Sequence, residues 1–292
     1  MPLHSDSAAY AMDSWLVAAA LTSAALHAAW NAAVKVSPQP TQAMTAQMVG
    51  SAVLALPALF WTGLPAMSAW PWMAASTLLG MGAVASLLRA YEHGGFGVVY
   101  PMTRASSVLL VLPLAAAAAG EWPTPLGLVG VGLVSMAVMV LALGKGNGAA
   151  RSMTRPALVW TLTAAAFTAG YIVCDGQGVR AAQSPLAYGF SLSIINGVLW
   201  AVVQHRSGLR LGALAAAQWR QGLLLALAAM VSYLLILWVW MHAPIALGSA
   251  LRDTSAVFAT VISLTVLKEP FARRVLLAVG LAIAGSMLIR LG

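Results

Sequence analysis

The sequence predicts an all-α integral membrane protein with ten transmembrane helices, arranged as two inverted repeats of five helices each. Only 8% of its 292 residues are charged, whereas a soluble domain carries about 25%, so a soluble enzyme and a disordered chain are excluded. Long stretches without any charge recur along the chain. Basic residues collect in every second connection between these stretches, a pattern typical of multi-pass membrane proteins.

Five predicted spans fill the first half of the chain, because a membrane helix needs about 20 mostly apolar residues. Ser14–Val34 holds the first span, and the charge-free stretch Val36–Leu88 is long enough for two. The Thr62–Pro65 segment divides that stretch, since Gly and Pro interrupt helices. Gly97–Ala119 and Trp122–Gly144 hold the fourth and fifth spans.

The second half of the chain supplies five more spans. Spans six to eight lie in Pro156–Cys174, Ala181–Gln204 and Gln221–Met241. The charge-free run Thr254–Leu267 is too short for a span, so the ninth must begin near Ala246 and include Arg252 and Asp253. Val275–Ile289 is the tenth.

The distribution of basic residues predicts the orientation. The odd-numbered connections and their flanks hold Lys35, Arg89, Lys145, Arg151, Arg155, Arg206, Arg210, Arg220, Lys268, Arg273 and Arg274. The even-numbered connections and the two ends hold only Arg180 and Arg290. Since basic loops stay in the cytoplasm, we expect the odd connections inside, both termini outside, and an inner-membrane location.

An internal repeat divides the chain. At an offset of 149 residues His93 aligns with His242 and Arg104 with Asp253. After a gap of one residue, Glu121 and Glu269, which follow spans four and nine, also align. Two halves of five spans each must lie in opposite orientations, which is a signature of transporters. We divide the chain into an N-terminal tail (1–13), a first repeat (14–144), a basic cytoplasmic connection (145–155) and a second repeat (156–292).

These features resemble the EamA type of the drug/metabolite transporter superfamily. The segment from His27 to Lys35 is similar to the Trp-Asn-x-x-x-Lys end of that family's first helix, and Pro113 precedes Glu121 as the family pattern has it. Within the family the chain looks most like the YddG-type exporters of aromatic and other neutral amino acids. The resemblance implies a central cavity lined by spans one, three, four, six, eight and nine.

Ionisable and aromatic residues within the spans are the candidates for substrate binding, because charges inside a membrane are costly and mark functional sites. Spans one, four and six each place aromatic and polar side chains on one helix face. The candidates are His27, Trp30, Asn31, Tyr100, Thr103, Arg104, Tyr171, Asp175, Tyr233, Arg252 and Asp253. The alternative for this set is a structural network that fixes the register of the helices.

Arg104 is the predicted carboxylate-binding or gating cation. Counted from the predicted ends of their spans, Arg104 and Asp253 lie about 10 Å apart along the membrane normal, so we do not expect a direct contact between them. Glu121 is expected to cap or anchor a turn. Trp240 is predicted either to share a face with Tyr233 or to belong to the aromatic belt at the membrane interface.

The predicted function is secondary export of aromatic and other neutral amino acids and related small metabolites by alternating access. The partners are a small-molecule substrate and the lipid bilayer, with no nucleic acid and no cofactor, and a monomer is compatible with the sequence. The main alternative is a proton-coupled multidrug exporter, although its usual buried carboxylate in span one is missing and only Asp175 could replace it. An intramembrane enzyme is a weaker alternative, since the spans hold no cluster of acidic residues for a metal.

Overall fold

In the computed structural model, the described residues are 12–35, 37–93, 96–142, 154–265 and 273–291, and their regular elements are all helical. The helices are α1 (Ser14–Lys35), α2 (Pro40–Thr62), α3 (Trp70–His93), α4 (Phe96–Ala119), α5 (Pro125–Ala142), α6 (Arg155–Ala182), α7 (Pro185–Arg206), α8 (Leu211–His242), α9 (Ile245–Asp253), α10 (Ser255–Thr265) and α11 (Arg273–Leu291). A short 3₁₀ turn, Met67–Ala69, precedes α3.

Seven apolar segments in the described part of the chain are long enough to cross a membrane. They lie in α1, α2, α3, α4, α6, α7 and α8, and α5 and α11 contain shorter apolar helices. The described part of the chain is therefore an all-helical bundle in which several helices are long and apolar enough to cross a membrane. The count of ten spans and the inverted repeat stay predictions. Most of the predicted tail (1–13) and of the predicted connection (145–155) lies outside the described residues.

Helix α6 continues eight residues past the predicted end at Cys174. Asp175 ends the charge-free stretch, but it does not end the helix, because its carboxylate is buried and hydrogen-bonded inside the bundle. The helix ends at Ala182, and the residue that follows, Gln183, has a left-handed φ of 53°. Ser184 then caps α7 by accepting a hydrogen bond from the Ala187 amide at 3.1 Å, as serine commonly does before a helix.

The predicted ninth span is divided into two helices. Helix α9 ends at Asp253 and α10 begins at Ser255, with Thr254 in a turn between them. The Thr254 hydroxyl donates to the carbonyl of Leu251 at 2.7 Å. This break places the adjacent charges Arg252 and Asp253 in the middle of the span.

Helices of the first half pack mainly against helices of the second half. Helix α1 packs on α8, α9 and α10, while α3 and α4 pack on α6. Helix α2 packs on α7 and α8, and α5 packs on α11. The core of the molecule is therefore the interface between the two halves.

Two small contacts show how closely these helices approach. In α1 and α8, Ser23 and Ser232 are fully buried, and each hydroxyl donates to the other residue's carbonyl, at 2.6 and 2.7 Å. In α5 and α11, a Cβ added to either Gly130 or Gly285 would lie 2.7 Å from the carbonyl oxygen of the other. Glycine is needed at this crossing because no side chain fits between the backbones.

Candidate functional site

The carboxylate of Asp175 joins four helices in the middle of the bundle. Its side chain, on α6, is almost fully buried. It accepts hydrogen bonds from the hydroxyls of Tyr188 on α7, at 3.0 Å, and Tyr233 on α8, at 2.8 Å. The hydroxyl of Ser76 on α3 interacts with the same carboxylate. Hydroxyl donors thus satisfy this charge, as a buried ion requires, and no described cation forms an ion pair with it.

Arg104 and Asp253 form a direct ion pair between α4 and α9. The expectation that they do not touch is therefore wrong. Helix α4 begins at Phe96 and α9 at Ile245, so each charge lies eight residues into its helix, or about 12 Å deep at about 1.5 Å per residue. In a core of about 30 Å that leaves about 6 Å between them, which the long arginine side chain spans.

Arg252 lies next to this ion pair but is not part of it. It is 9% exposed, and its guanidinium carbon lies 5.8 Å from the centre of the Trp240 ring. Its Nε has no hydrogen-bond partner in the described part of the chain, and neither has the second carboxylate oxygen of Asp253. Trp240 is fully buried, so its placement in an interfacial aromatic belt is wrong.

On the polar face of α1, one candidate side chain forms a hydrogen bond within the helix itself. Asn31 donates to the carbonyl of His27 at 2.7 Å, so its amide group is engaged one turn back. The rings of His27 and Trp30 meet edge to face at 5.1 Å between centroids. The indole nitrogen of Trp30 is buried without a partner among the described residues, which leaves one donor of this face free for a ligand.

Of the candidates on α4, α6 and α8 that are not charged, one bonds within its own helix, two lie near Arg252, and one has a side chain that the structure does not describe. The Thr103 hydroxyl donates to the carbonyl of Val99 at 2.9 Å within α4. Tyr171 and Tyr233 lie near the Arg252 guanidinium. Tyr100 belongs to α4, but its side chain lies outside the described part of the structure.

The structure thus brings most of the candidates to one polar centre. Helix α9 packs against α1, α4, α6 and α8, and the charge of Arg252 influences both Asp175 and His27. We use the term polar centre for His27, Arg104, Tyr171, Asp175, Tyr233, Arg252 and Asp253. Asn31 and Thr103 border it but bond within their own helices.

Sequence reasoning missed Tyr188, which is fully buried and donates to Asp175. Its neighbours Pro185 and Leu186 gave no polar signal. In the structure Tyr188 packs against Gly178, where an added Cβ would lie 2.5 Å from the tyrosine hydroxyl.

A second polar group ties the helix ends together at one end of the bundle. Arg180 forms an ion pair with Glu121 and donates to the carbonyls of Trp240 and Ala243, both at 2.8 Å. Glu121 also accepts from the Ile245 amide at 2.7 Å and so caps α9, as carboxylates do at helix N-termini. The expectation that Glu121 anchors a turn is confirmed.

Two cavities lie away from the polar centre, at the outer surface of the bundle. One, of about 300 Å³, is lined mainly by residues of α3, and the other, of about 220 Å³, lies between α2 and α8. Both linings are almost wholly apolar, as expected of surfaces that face lipid. Among the described residues, no group of three His, Cys, Asp or Glu side chains is arranged to hold a metal ion.

Comparison with known protein families finds a match in the second half of the chain. Residues 155–291 match the EamA-like transporter family. The EamA-like segment runs from the first residue of α6 to the last residue of α11. It contains Asp175, Tyr233, Arg252 and Asp253, so much of the polar centre belongs to it. Together with the apolar helices, the match supports a multi-pass membrane protein.

Comparison with solved structures extends the likeness to the whole fold. One chain, described only as a crystal structure of a protein, aligns with a TM-score of 0.72 over 98% of both chains at 14% identity. At this identity the likeness shows the fold alone. No curated protein matches the sequence.

Proposed function

We propose that the protein is a secondary transporter that exports aromatic and other neutral amino acids by alternating access. The observation that carries the proposal is the polar centre, a set of charged and aromatic side chains that are buried or half-buried in a bundle of apolar helices. Much of it lies within the EamA-like segment. Such groups are costly to bury in a membrane and commonly mark a substrate path.

The packing of the helices supports alternating access. If the two halves are inverted repeats, α1 corresponds to α6 and α3 to α8. The pair α1–α8 then corresponds to the pair α6–α3, and both pairs are in contact. Arg104 and Asp253, which align at the offset of 149 residues, meet each other, as equivalent residues do on a two-fold axis. Inverted repeats of this kind place the substrate near the midplane.

The chemistry of the polar centre favours a zwitterion with an apolar side chain. A buried donor on Arg252 and a buried acceptor on Asp253 lack partners in the described structure. Trp30, Tyr171 and Tyr233 supply aromatic surface nearby. A small amphipathic molecule suits a site with few polar groups and aromatic walls.

Proton-coupled export of cationic drugs is the second candidate. It is favoured by Asp175, a buried carboxylate that is held by hydroxyls rather than by a described cation. A carboxylate in such a position could exchange a proton for an organic cation. In this function the substrate would carry a positive charge and need no carboxylate.

Counterflow in liposomes tests the proposal. Liposomes that contain the purified protein are loaded with unlabelled L-leucine, and the uptake of labelled L-phenylalanine is measured. We expect uptake that saturates and that depends on the internal leucine, because a carrier exchanges substrates through one site. Protein-free liposomes are the control. Inhibition by a quaternary ammonium dye but not by amino acids would favour proton-coupled export of cationic drugs instead.

A further inference from the structure

We propose that Arg252, rather than Arg104, binds the carboxylate of the solute in the polar centre. The inference rests on the proposed function and specifies it, because it states which chemical group the site requires. The evidence is a comparison of two arginines that lie close together in the same bundle.

The charge of Arg104 is already compensated within the protein. Its guanidinium is paired with the Asp253 carboxylate, so a substrate carboxylate would have to compete with a covalently tethered one. The cost of burying this arginine is offset by its partner, as it must be for a buried ion. Arg104 therefore positions Asp253 and fixes the contact between α4 and α9.

Arg252 is buried to a similar degree without such compensation. In contrast to Arg104, no described carboxylate lies within ion-pair distance of its guanidinium. The neighbouring Asp253 lies about 100° around the helix, and one of its oxygens is engaged by Arg104. An arginine stays charged at any physiological pH, so this site calls for an anionic ligand.

The surroundings of Arg252 fix the geometry of such a ligand. The ring of Trp240 lies on one side of the guanidinium, with its centre 5.8 Å from the guanidinium carbon. The guanidinium edge matches a carboxylate through two parallel N–H···O bonds. Tyr171 and Tyr233 lie near the same group and provide aromatic contacts for the rest of the molecule.

Binding of three related solutes to the purified wild-type protein tests the requirement for a carboxylate. The solutes are L-phenylalanine, 3-phenylpropionate, which lacks the amine, and 2-phenylethylamine, which lacks the carboxylate. Calorimetry or a thermal shift gives the Kd of each. We expect both carboxylates to bind at least tenfold more tightly than the amine. Equal affinity for 2-phenylethylamine, or no binding of either carboxylate, would overturn the inference.

Variants then locate the carboxylate. Arg252→Gln should weaken binding of 3-phenylpropionate by about tenfold or more, the scale of a hydrogen bond to a charged group. Arg252→Lys should retain part of the affinity, and Arg206→Gln, which removes an exposed arginine from the end of α7, should bind like the wild type. Unchanged binding by Arg252→Gln would refute the assignment. If Arg252→Gln does not fold, the assignment is tested by the affinities of the wild-type protein for the three solutes and by the affinity of Arg252→Lys for 3-phenylpropionate.

Transport measured on the same samples separates the two proposals. If 3-phenylpropionate binds through Arg252 but no amino acid shows counterflow, the anion site stands and the proposed function fails. If amino acids show counterflow that Arg252→Gln leaves unchanged, the transport function stands and the role of Arg252 is wrong.

Discussion

The ion pair of Arg104 and Asp253 is a single contact that joins two helices distant in sequence. Replacing Asp253 with Asn removes the carboxylate that faces a buried guanidinium, and the loss of one partner of a buried pair costs about 3–5 kcal/mol. We therefore expect a clearly lower free energy of unfolding for Asp253→Asn, measured with denaturant in detergent.

The double variant is the control for this prediction. Arg104→Gln/Asp253→Asn also removes the guanidinium that Asp253→Asn leaves without its partner, so we expect the double variant to be more stable than Asp253→Asn alone. Additive losses in the double variant would mean that the two side chains do not stabilise each other, in conflict with the observed contact.

The sequence identifies the charged residues of the polar centre but does not predict which of them contact each other. Arg104, Asp175, Arg252 and Asp253 could all be selected because a charge within an apolar stretch is conspicuous. Whether two of these side chains meet depends on how deep each residue lies in the membrane and on how far its side chain extends. An error of two or three residues in a predicted helix end is enough to give a wrong depth. Tyr188 escaped notice because a tyrosine in an apolar helix carries no charge to distinguish it.

At the scale of the helices, the crossing of α5 and α11 gives a prediction with internal controls. Gly130→Ala and Gly285→Ala each place a methyl group 2.7 Å from a backbone oxygen of the opposite helix. Backbone atoms cannot move aside cheaply, and overpacking of this kind costs about 1–3 kcal/mol. We expect each variant to unfold at a lower temperature than the wild type.

The same two helices supply the matched controls. A Cβ added to Gly132 in α5 or to Gly280 in α11 would meet no atom within 4 Å. These substitutions should leave the thermal unfolding temperature unchanged or raise it slightly, since alanine favours a helix by about 1 kcal/mol over glycine. If all four variants behaved alike, close approach at Gly130 and Gly285 would not explain the result.

Charge-free stretches predicted most helices within a few residues, because lipid excludes charge from exposed helix faces. They do not predict the end of α6, where the charges of Asp175 and Arg180 point into the protein. They also misplace the start of α8, which begins at Leu211, before the predicted Gln221, and has a non-helical residue at Gln218. The residues Ser184 and Pro185 predict the end of α6 better, because a serine followed by a proline is typical of the start of a new helix. The break at Thr254 had no sequence signal beyond the shortness of the apolar run on either side of Arg252 and Asp253.

At the scale of the whole molecule, the charge distribution predicts the orientation in the membrane. Basic residues collect in the odd-numbered connections, so both termini should lie outside the cytoplasm. A reporter that is active only in the cytoplasm, fused after Gly292, should therefore be silent. The same reporter placed within the predicted cytoplasmic connection 145–155 is the positive control. A bright C-terminal fusion would invert the predicted orientation.

Composition is sufficient to predict a membrane bundle, because so few charges cannot keep a chain of this length in solution. It does not predict which helices touch. All the apolar helices present similar surfaces, and the pairing is decided by small features such as Gly130 against Gly285 and Ser23 against Ser232. These features become visible only when the two helices are seen together.

The mutual hydrogen bonds of Ser23 and Ser232 also have a consequence for biogenesis, since 209 residues separate the two serines along the chain. Insertion proceeds from the N-terminus, so α1 enters the bilayer long before the ribosome has made α8. Until then the Ser23 hydroxyl has to bond within its own helix, and lipid covers the face that α8 will occupy. At about 5–20 residues per second, the unfinished bundle must persist in the membrane for about 10–40 s before its first helix finds its partner.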